Sequence, residues 1–173
     1  MNIFLIGYMA SGKTTIGKML AEKMNFKFID LDQYIEVKED MSVSKIFALK
    51  SEIYFRKIET KYLKELIDKK EKTVISLGGG TPCYGDNLQL LLSSNNAITI
   101  YLKASLLELV NRLIKDKQNR PLISHLKSEE ALFEFIGKHL FERSNYYSQA
   151  SKRINIDNKT TDEIVTEIIS ELF

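Results

Sequence analysis

The sequence predicts an α/β protein, in which helices cover both faces of a central parallel sheet and so form three layers. Five short segments have the composition of strands, and segments with helical periodicity lie between them. Alternation of this kind is typical of parallel sheets. Two segments are mostly apolar without regular alternation, which indicates inner strands. The predicted strands are residues 2–6, 26–29, 72–77, 97–102 and 152–157, of which 74–77 and 97–102 are predicted to be central.

Length and composition restrict the protein to a few classes. The chain has 173 residues, which we interpret as a single domain spanning 1–173. Its 44% hydrophobic and 28% charged residues are ordinary for a soluble globular protein, and a net charge of +2 is too small to suggest a nucleic-acid or membrane surface. One cysteine excludes a disulfide framework and suits a reducing compartment. Because we find neither a signal peptide nor an apolar run of about 18 residues, the expected location is the cytoplasm.

The first predicted strand leads directly into a glycine-rich motif. Residues 7–14 have the pattern G-x-x-x-x-G-K-T, and helical apolar spacing follows in residues 15–23. Between a strand and a helix, such a loop closes its backbone N–H groups around phosphate, and the helix N-terminus adds its positive end. Lys13 would then reach the β- and γ-phosphates of a nucleotide, and the Thr14 hydroxyl would ligate Mg²⁺. The alternative is a chance match in a βα turn.

Two carboxylates, Asp30 and Asp32, stand where the second predicted strand ends. Ligands of open parallel sheets bind beyond the carboxyl ends of the strands. Phosphoryl transfer needs a carboxylate near the metal and often one near the attacking hydroxyl. The alternative is a pair of turn or capping residues, with Asp32 as the cap of a helix that starts near Gln33. The upstream phosphate-binding motif favours the functional interpretation.

Three consecutive glycines, Gly78–Gly80, follow the third predicted strand. Glycines at this place allow the backbone to come within contact distance of a ligand. Because flexible glycines after a core strand are entropically costly, we favour a ligand wall over a plain hinge. Nearby Cys83 has no histidine close to it in the sequence and is interpreted as a passive thiol. His125 and His139 have no catalytic or metal-binding pattern and are interpreted as surface or lid residues.

Residues 51–70 have the spacing of one long helix with an apolar stripe. Arg56 and Glu59 lie three residues apart in it, so Glu59 can orient the guanidinium. Arg143 follows another apolar stripe. Each arginine alone is typical of a surface, but together they would suit a substrate carboxylate, which a guanidinium binds through two hydrogen bonds. The stripe of the long helix consists of Ile53, Ile58, Tyr62, Leu63, Leu66 and Ile67.

Two capping boxes, at 105–108 and 160–163, mark the starts of later helices. The stretch from Asp116 to Lys127 is different, because it is polar, has no periodicity and contains Arg120. We expect this stretch to lack apolar contacts and to be mobile without ligand.

Taken together, these residues resemble the shikimate kinase family over almost the whole chain, in order and with family-like spacing. The phosphate-binding motif alone is shared by very many proteins, whereas its conjunction with the other motifs is far more specific. The motifs are GxxxxGKT at 7–14, D-x-D at 30–32, F-R-x-x-E at 55–59, G-G-G at 78–80, R-P-L at 120–122 and E-R-x-x-x-Y at 142–147.

The resemblance implies a P-loop kinase fold with a five-stranded parallel sheet. It implies ATP-dependent phosphorylation of the 3-hydroxyl of shikimate to shikimate 3-phosphate, a step toward chorismate and the aromatic amino acids. The implied cofactor is Mg²⁺, and the implied partners are ATP and shikimate. We expect a monomer without nucleic-acid or membrane partners. An acceptor-binding helical segment at about 32–60 and a lid at about 112–127 are also implied.

The resemblance further implies roles for individual residues. Lys13, Asp32 and Arg120 would be catalytic, with Asp32 as base or orienting group and Arg120 closing on the ATP phosphates. Arg56 and Arg143 would clamp the shikimate carboxylate. The metal would be held by Thr14 and by Asp30, the latter mostly through water. The implied ATP-binding residues are Ala10, Ser11, Gly12, Lys13, Thr14, Thr15, Arg112, Arg120 and Lys159. The implied shikimate-binding residues are Asp32, Phe47, Phe55, Arg56, Gly78, Gly79, Gly80 and Arg143.

Two other classes of function stay open on the sequence. One is a kinase of the same fold that acts on gluconate or a nucleoside monophosphate. The D-x-D pair offers acceptors to several hydroxyls, which suits a polyol acid better than a nucleotide. Only the F-R-x-x-E and triple-glycine motifs argue against gluconate. The other class is a nucleotide-binding switch module without chemistry of its own, which would need neither a lid nor an acceptor pocket.

Overall fold

The computed structural model describes residues 1–116 and 122–173. Within them, five strands are present, β1 (Asn2–Ile6), β2 (Lys27–Asp30), β3 (Thr73–Ser76), β4 (Ala97–Lys103) and β5 (Lys152–Asn155). They form one parallel sheet in the order β2-β3-β1-β4-β5. Every residue of β1 and β3 is buried, as expected of inner strands that are covered on both faces.

Helices pack on both faces of the sheet and complete the predicted three-layer α/β/α sandwich. Among the helices of the described residues, none combines the length and the apolar character needed to cross a bilayer. A short 3-10 turn also follows β3, at Thr81–Cys83. The helices are α1 (Lys13–Met24), α2 (Leu31–Glu39), α3 (Val43–Lys50), α4 (Glu52–Ile67), α5 (Asn87–Ser93), α6 (Leu106–Asp116), α7 (Glu129–Tyr147) and α8 (Thr161–Leu172).

The predicted motifs meet because three neighbouring strands end at the same edge of the sheet. β1 leads into residues 7–14, β2 ends at Asp30, and β3 leads into the glycines at 78–80. The register pairs Leu5 and Asp30 each with Ser76, so the three carboxyl ends are level. Parallel strands therefore bring together motifs that are far apart in the sequence.

The predicted strands are confirmed, with bounds that match at β1 and differ by at most two residues at the others. The predicted long helix is α4, but Ile53 is 83% exposed, so its assignment to the apolar stripe was wrong. Ile53 lies in the first turn of α4, on the side of the helix opposite to the buried residues Ile58 and Tyr62.

One of the two predicted capping boxes is complete. The Thr160 hydroxyl accepts from Glu163 N at 3.3 Å, and the Glu163 carboxylate accepts from Thr160 N at 2.7 Å. At α6, the Ser105 hydroxyl accepts from Glu108 N at 3.2 Å. The Glu108 carboxylate, however, accepts from Arg112 Nε at 2.7 Å, so the returning bond of that box is replaced by an ion pair within the helix.

The segment predicted as a mobile loop is only partly described, and Arg120 lies outside the described residues. α6 ends at Asp116, where the sequence predicts the loop to begin. Ile123 is fully buried, and Leu126 packs against the core. The expectation that the stretch lacks apolar contacts was therefore wrong at these two positions.

Two asparagine amides cap the carboxyl end of α4, where the last helical carbonyls lack partners within the helix. Asn2 Nδ2 donates to Leu66 O at 3.2 Å and to Lys69 O at 3.0 Å. Asn96 Nδ2 donates to Ile67 O at 2.8 Å and also to Lys69 O, at 3.0 Å. Because Asn2 opens β1 and Asn96 immediately precedes β4, these bonds tie α4 to the sheet.

Removing one of these caps should destabilise the protein. We predict that Asn96→Ala lowers the free energy of unfolding by about 1–3 kcal/mol, because the part-buried carbonyl of Ile67 loses its shorter hydrogen bond and keeps only the one from Asn2 Nδ2, at 3.5 Å. Urea denaturation measures this change. The matched control is Asn95→Ala, since Asn95 is the exposed neighbour and its loss should cost less than about 0.5 kcal/mol. Equal effects of the two changes would contradict the capping role.

Candidate active site

A polar cavity of about 350 Å³ lies at the carboxyl edge of the sheet. It is bounded on one side by residues 7–14, called the phosphate loop from here on, and on the other by the ends of β2 and β3. The cavity therefore lies where ligands of parallel α/β sheets bind. Among its lining residues are Ala10, Gly12, Lys13, Thr14, Thr15, Asp30, Asp32, Gly78 and Gly79.

The loop at 7–14 has the backbone of an anion cradle. Gly7 and Gly12 have φ values of 148° and 86°, and Ala10 has a φ of 63°, which is uncommon for a residue with a side chain. A methyl group on Gly7 would lie 2.8 Å from Leu102 O, so glycine is required there. Helix α1 begins immediately after Gly12, with its N-terminus at the cavity. Backbone N–H groups and the helix dipole together favour phosphate at this point.

The ammonium group of Lys13 lies over this loop. Lys13 Nζ donates to Gly7 O at 2.9 Å and to Tyr8 O at 2.8 Å, and only 9% of the residue is exposed. The positive charge is thus held beside the N–H groups of the loop, in partly desolvated surroundings. Electrostatic attraction to a phosphate is stronger in such surroundings than in water.

The Asp30 carboxylate accepts hydrogen bonds from three groups, which distinguish its surroundings from those of Asp32. Asp30 Oδ2 accepts from the Thr14 hydroxyl at 3.0 Å. Asp30 Oδ1 accepts from Asp32 N and Gln33 N, so Asp30 is the N-cap of α2. The capping alternative for Asp32 was therefore wrong, because the helix begins two residues earlier than that alternative requires. The Asp32 side chain is left to face the cavity.

The surroundings of Asp32 disfavour its charge. Burial raises the pKa of its carboxyl group from 3.8 to about 6, and the neighbouring carboxylates of Asp30 and Glu59 add to this rise. The Lys13 ammonium acts in the opposite direction. A carboxyl group with a pKa near the working pH can both accept and release a proton, which is the property of a general base.

The glycines at 78–80 form a strip of bare backbone between three side chains that the sequence predicts to belong to the site. A methyl group on Gly78 would lie 3.3 Å from Asp32 Oδ1. A methyl group on Gly80 would lie 3.1 Å from Arg56 Nη2, and one on Gly79 would lie 3.4 Å from Arg143 Nη1. The structure thus brings together Asp32, Arg56 and Arg143, as the sequence predicts.

The Arg56 guanidinium is held in place from two sides. Arg56 Nη1 donates to the buried carboxylate of Glu59 at 2.9 Å, and the other oxygen of Glu59 accepts from the Thr81 hydroxyl at 2.6 Å. The guanidinium also lies over the Tyr84 ring, 3.8 Å from its centroid. A guanidinium fixed by a carboxylate and an aromatic face keeps further N–H groups for a second anion.

Three side chains on one face of α7 reach toward the site, at positions 139, 143 and 147. The Tyr147 hydroxyl donates to Gly79 O at 2.6 Å and so supports the glycine strip from behind. The sequence predicts His139 to be a surface or lid residue, and this prediction was wrong. His139 is half-buried, and its Nδ1 lies 2.8 Å from the Tyr8 hydroxyl.

The remaining predicted residues lie around this centre. Arg112 Nη1 donates to Ala10 O at 3.1 Å, so this arginine contacts the phosphate loop. Phe47 and Phe55 form a tilted ring pair with centroids 4.7 Å apart. Lys159 pairs with Glu167 on α8.

Sequence reasoning missed the residues that hold the site from outside. Thr81 and Tyr84 support Arg56 but belong to no pattern that predicts it. Tyr147 stands in the E-R-x-x-x-Y motif, and its spacing from Arg143 could have placed it on the same helical face. The passive interpretation of Cys83 agrees with its surroundings, since burial raises the pKa of its thiol to about 11.

The position of Asp32 predicts an unusual titration. In the ligand-free protein we expect its carboxyl signal, followed by carbon-13 NMR, to change near pH 6, with the charged form dominant above that pH. Asp30→Asn should move the midpoint to lower pH, because it removes a neighbouring negative charge while keeping a side chain that can cap α2. The exposed Asp68→Asn is the control and should leave the midpoint unchanged. A midpoint near the ordinary value of 3.8 would contradict the described surroundings.

Comparison with known proteins agrees with this geometry. The family model described as shikimate kinase matches residues 9–173. A relative named shikimate kinase, from Flavobacterium psychrophilum, is 48% identical over 171 residues, which cover 99% of this chain and 98% of the relative.

Solved structures give the same result. The crystal structure of shikimate kinase from Bacteroides thetaiotaomicron has a TM-score of 0.88 and 36% identity, covering 99% of this chain and 97% of that one. Shikimate kinase from Acinetobacter baumannii in complex with shikimate has a TM-score of 0.84 and 30% identity, covering 99% of this chain and 92% of that one. With the phosphate loop, the glycine strip and the paired carboxylates in one cavity, the chain belongs to the shikimate kinase family.

Proposed function

We propose that this chain transfers the γ-phosphoryl group of ATP to the 3-hydroxyl of shikimate, with the residues of the cavity and its surroundings in the catalytic and binding roles that the resemblance implies. The product is shikimate 3-phosphate, an intermediate on the way to chorismate and the aromatic amino acids. The observation that supports these roles most is the convergence of Asp32, Arg56 and Arg143 on the glycine strip beside the phosphate loop. We further propose that residues 1–173 act as one domain.

The nucleotide would bind over the phosphate loop. Backbone N–H groups from Ala10 to Thr15 and the Lys13 ammonium would hold the phosphates. Arg112, which contacts Ala10 O, lies at the edge of this loop and would flank the adenine with Lys159. Arg120 would close on the phosphates from the lid, although it lies outside the described residues.

The cavity also suits Mg²⁺. The Thr14 hydroxyl and the Asp30 carboxylate lie 3.0 Å apart at the loop, and both are hard oxygen donors of the kind that Mg²⁺ prefers. Thr14 would ligate the metal directly, and Asp30 mostly through water. Held by these two residues, Mg²⁺ would supply positive charge that offsets the negative charge of the phosphates.

The acceptor would lie along the glycine strip. Arg56 and Arg143 would bind the shikimate carboxylate, with Phe47 and Phe55 beside the ring. Asp32 would accept a hydrogen bond from the 3-hydroxyl.

In the transfer step, the 3-oxygen forms a bond to the γ-phosphorus while the bond from that phosphorus to the ADP oxygen breaks. The hydroxyl proton passes to the Asp32 carboxylate, and Lys13 stabilises the charge that grows on the transferring phosphoryl group.

An acceptor comparison tests this function directly. ADP release is measured with ATP and Mg²⁺ in the presence of shikimate, gluconate or nucleoside monophosphates, and the product is identified by phosphorus NMR. We expect release that depends on shikimate and a phosphate ester at its 3-position. Preference for gluconate or for a nucleotide would indicate the alternative kinases. Nucleotide binding without turnover on any acceptor would indicate a switch module.

Lys13 provides the first test of the assigned roles. Lys13→Ala should lower kcat by about 10²-fold or more, because one preorganised donor to the transition-state charge is lost. Circular dichroism should show an unchanged fold. Lys18→Ala, which removes an exposed lysine of the same helix, is the control and should keep normal turnover. Near-normal turnover in folded Lys13→Ala protein would contradict the role of the phosphate loop.

Arg56 provides the second test. Arg56→Lys keeps a positive charge beside the buried Glu59 but removes the planar fork that binds a carboxylate through two bonds. We expect KM for shikimate to rise by about tenfold or more, with KM for ATP changed little. The control is Lys57→Ala, because Lys57 is the exposed neighbour on α4. An equal loss of ATP affinity would place Arg56 on the phosphate side of the cavity.

A further inference from the structure

Helix α7 contacts both halves of the site. Its C-terminal residue, Tyr147, donates to Gly79 O of the glycine strip, and Arg143 lies one turn earlier beside the same glycine. One further turn toward the N-terminus, His139 lies 2.8 Å from the hydroxyl of Tyr8, which belongs to the phosphate loop. A single rigid helix therefore spans from the proposed acceptor clamp to the loop that would hold ATP.

The contact between Tyr8 and His139 is well packed and polar. Only 1% of Tyr8 is exposed, and the two rings meet edge to face with centroids 5.5 Å apart. Burial raises the pKa of Tyr8 to about 12. Burial, and then the Arg143 guanidinium, lower the pKa of His139, against a smaller opposing effect of Glu142. Both groups are thus neutral at pH 7 and share one hydrogen bond between Tyr8 Oη and His139 Nδ1.

The backbone of Tyr8 is linked to the proposed chemistry as well. Its carbonyl oxygen accepts from Lys13 Nζ at 2.8 Å and from Ser11 N at 3.2 Å. Tyr8, whose side chain is held by α7, therefore also holds the Lys13 ammonium and the turn of the phosphate loop through its carbonyl oxygen. A shift of the Tyr8 ring would move the carbonyl that orients Lys13.

We propose that Tyr8 and His139 are positioning residues, which fix the phosphate loop relative to Arg143. The inference rests on the proposed kinase function, and neither residue is assigned a contact with substrate. Transfer needs the acceptor oxygen in line with the γ-phosphorus. A misplacement of about 1 Å can lower the rate by about 10²-fold, even when each substrate still binds. Loss of the pair should therefore lower kcat more than it changes either KM.

Steady-state kinetics of variants in the full chain test this proposal. We expect Tyr8→Phe and His139→Leu each to lower kcat by about tenfold, with both KM values within about twofold of normal. The double variant should lose no more than either single variant, because both remove the same hydrogen bond. His139→Asn should have a kcat well above that of His139→Leu and close to that of the unmodified chain, since its amide places a polar atom near the position of Nδ1.

The control is Tyr101→Phe, which removes a hydroxyl from a buried tyrosine on β4 and should leave kcat unchanged. Normal kcat in Tyr8→Phe and His139→Leu would overturn the proposal. So would losses that multiply in the double variant, a failure of His139→Asn to recover the rate, or losses that only follow a smaller folded fraction by circular dichroism. If the unmodified chain releases no ADP in response to shikimate, the proposed function fails first, and this inference fails with it.

Discussion

The bare backbone of Gly78–Gly80 is the constraint on which the site depends. A side chain on Gly78 would crowd Asp32 and Thr81, and one on Gly80 would crowd the Arg56 guanidinium. Because the strip carries no side chains, the Asp32 carboxylate from the first turn of α2 and the Arg56 guanidinium from α4 can approach it closely. Gly78 and Gly79 also line the cavity beside the phosphate loop, so the proposed nucleotide and acceptor sites would share one wall.

A buried carboxylate connects this strip to the helix that carries Arg56. Glu59 is 1% exposed, and its two oxygens accept from Arg56 and from Thr81, which immediately follows the glycines. Removal of one partner from a buried ion pair is strongly destabilising, because it leaves an unpaired buried charge. Arg56 and the strip are therefore held as one unit. α7 adds a second support, through the bond from Tyr147 to Gly79 O.

Local patterns in the sequence predict the parts of this site, and parallel topology predicts that they meet. The loop at 7–14, the pair Asp30 and Asp32, and the glycines at 78–80 each follow a strand with a clear apolar signal. Which aspartate caps α2 could not be predicted, because either Asp30 or Asp32 could cap a helix in this sequence. The choice depends on the residue at which β2 ends. The pair of Tyr8 and His139 could not be predicted either, since 131 residues separate them and no periodicity links a loop to a distant helix.

The binding of shikimate to Gly80→Ala protein, measured by isothermal titration calorimetry, tests the role of the glycine strip most directly. The backbone of Gly80, with φ −87° and ψ −19°, is open to alanine, and the guanidinium that the methyl would meet is the flexible end of a side chain. The fold should survive while Arg56 is displaced. We expect shikimate affinity to fall by about tenfold, which corresponds to about 1.4 kcal/mol, with ADP affinity unchanged. Unchanged shikimate affinity in the folded variant would contradict the account.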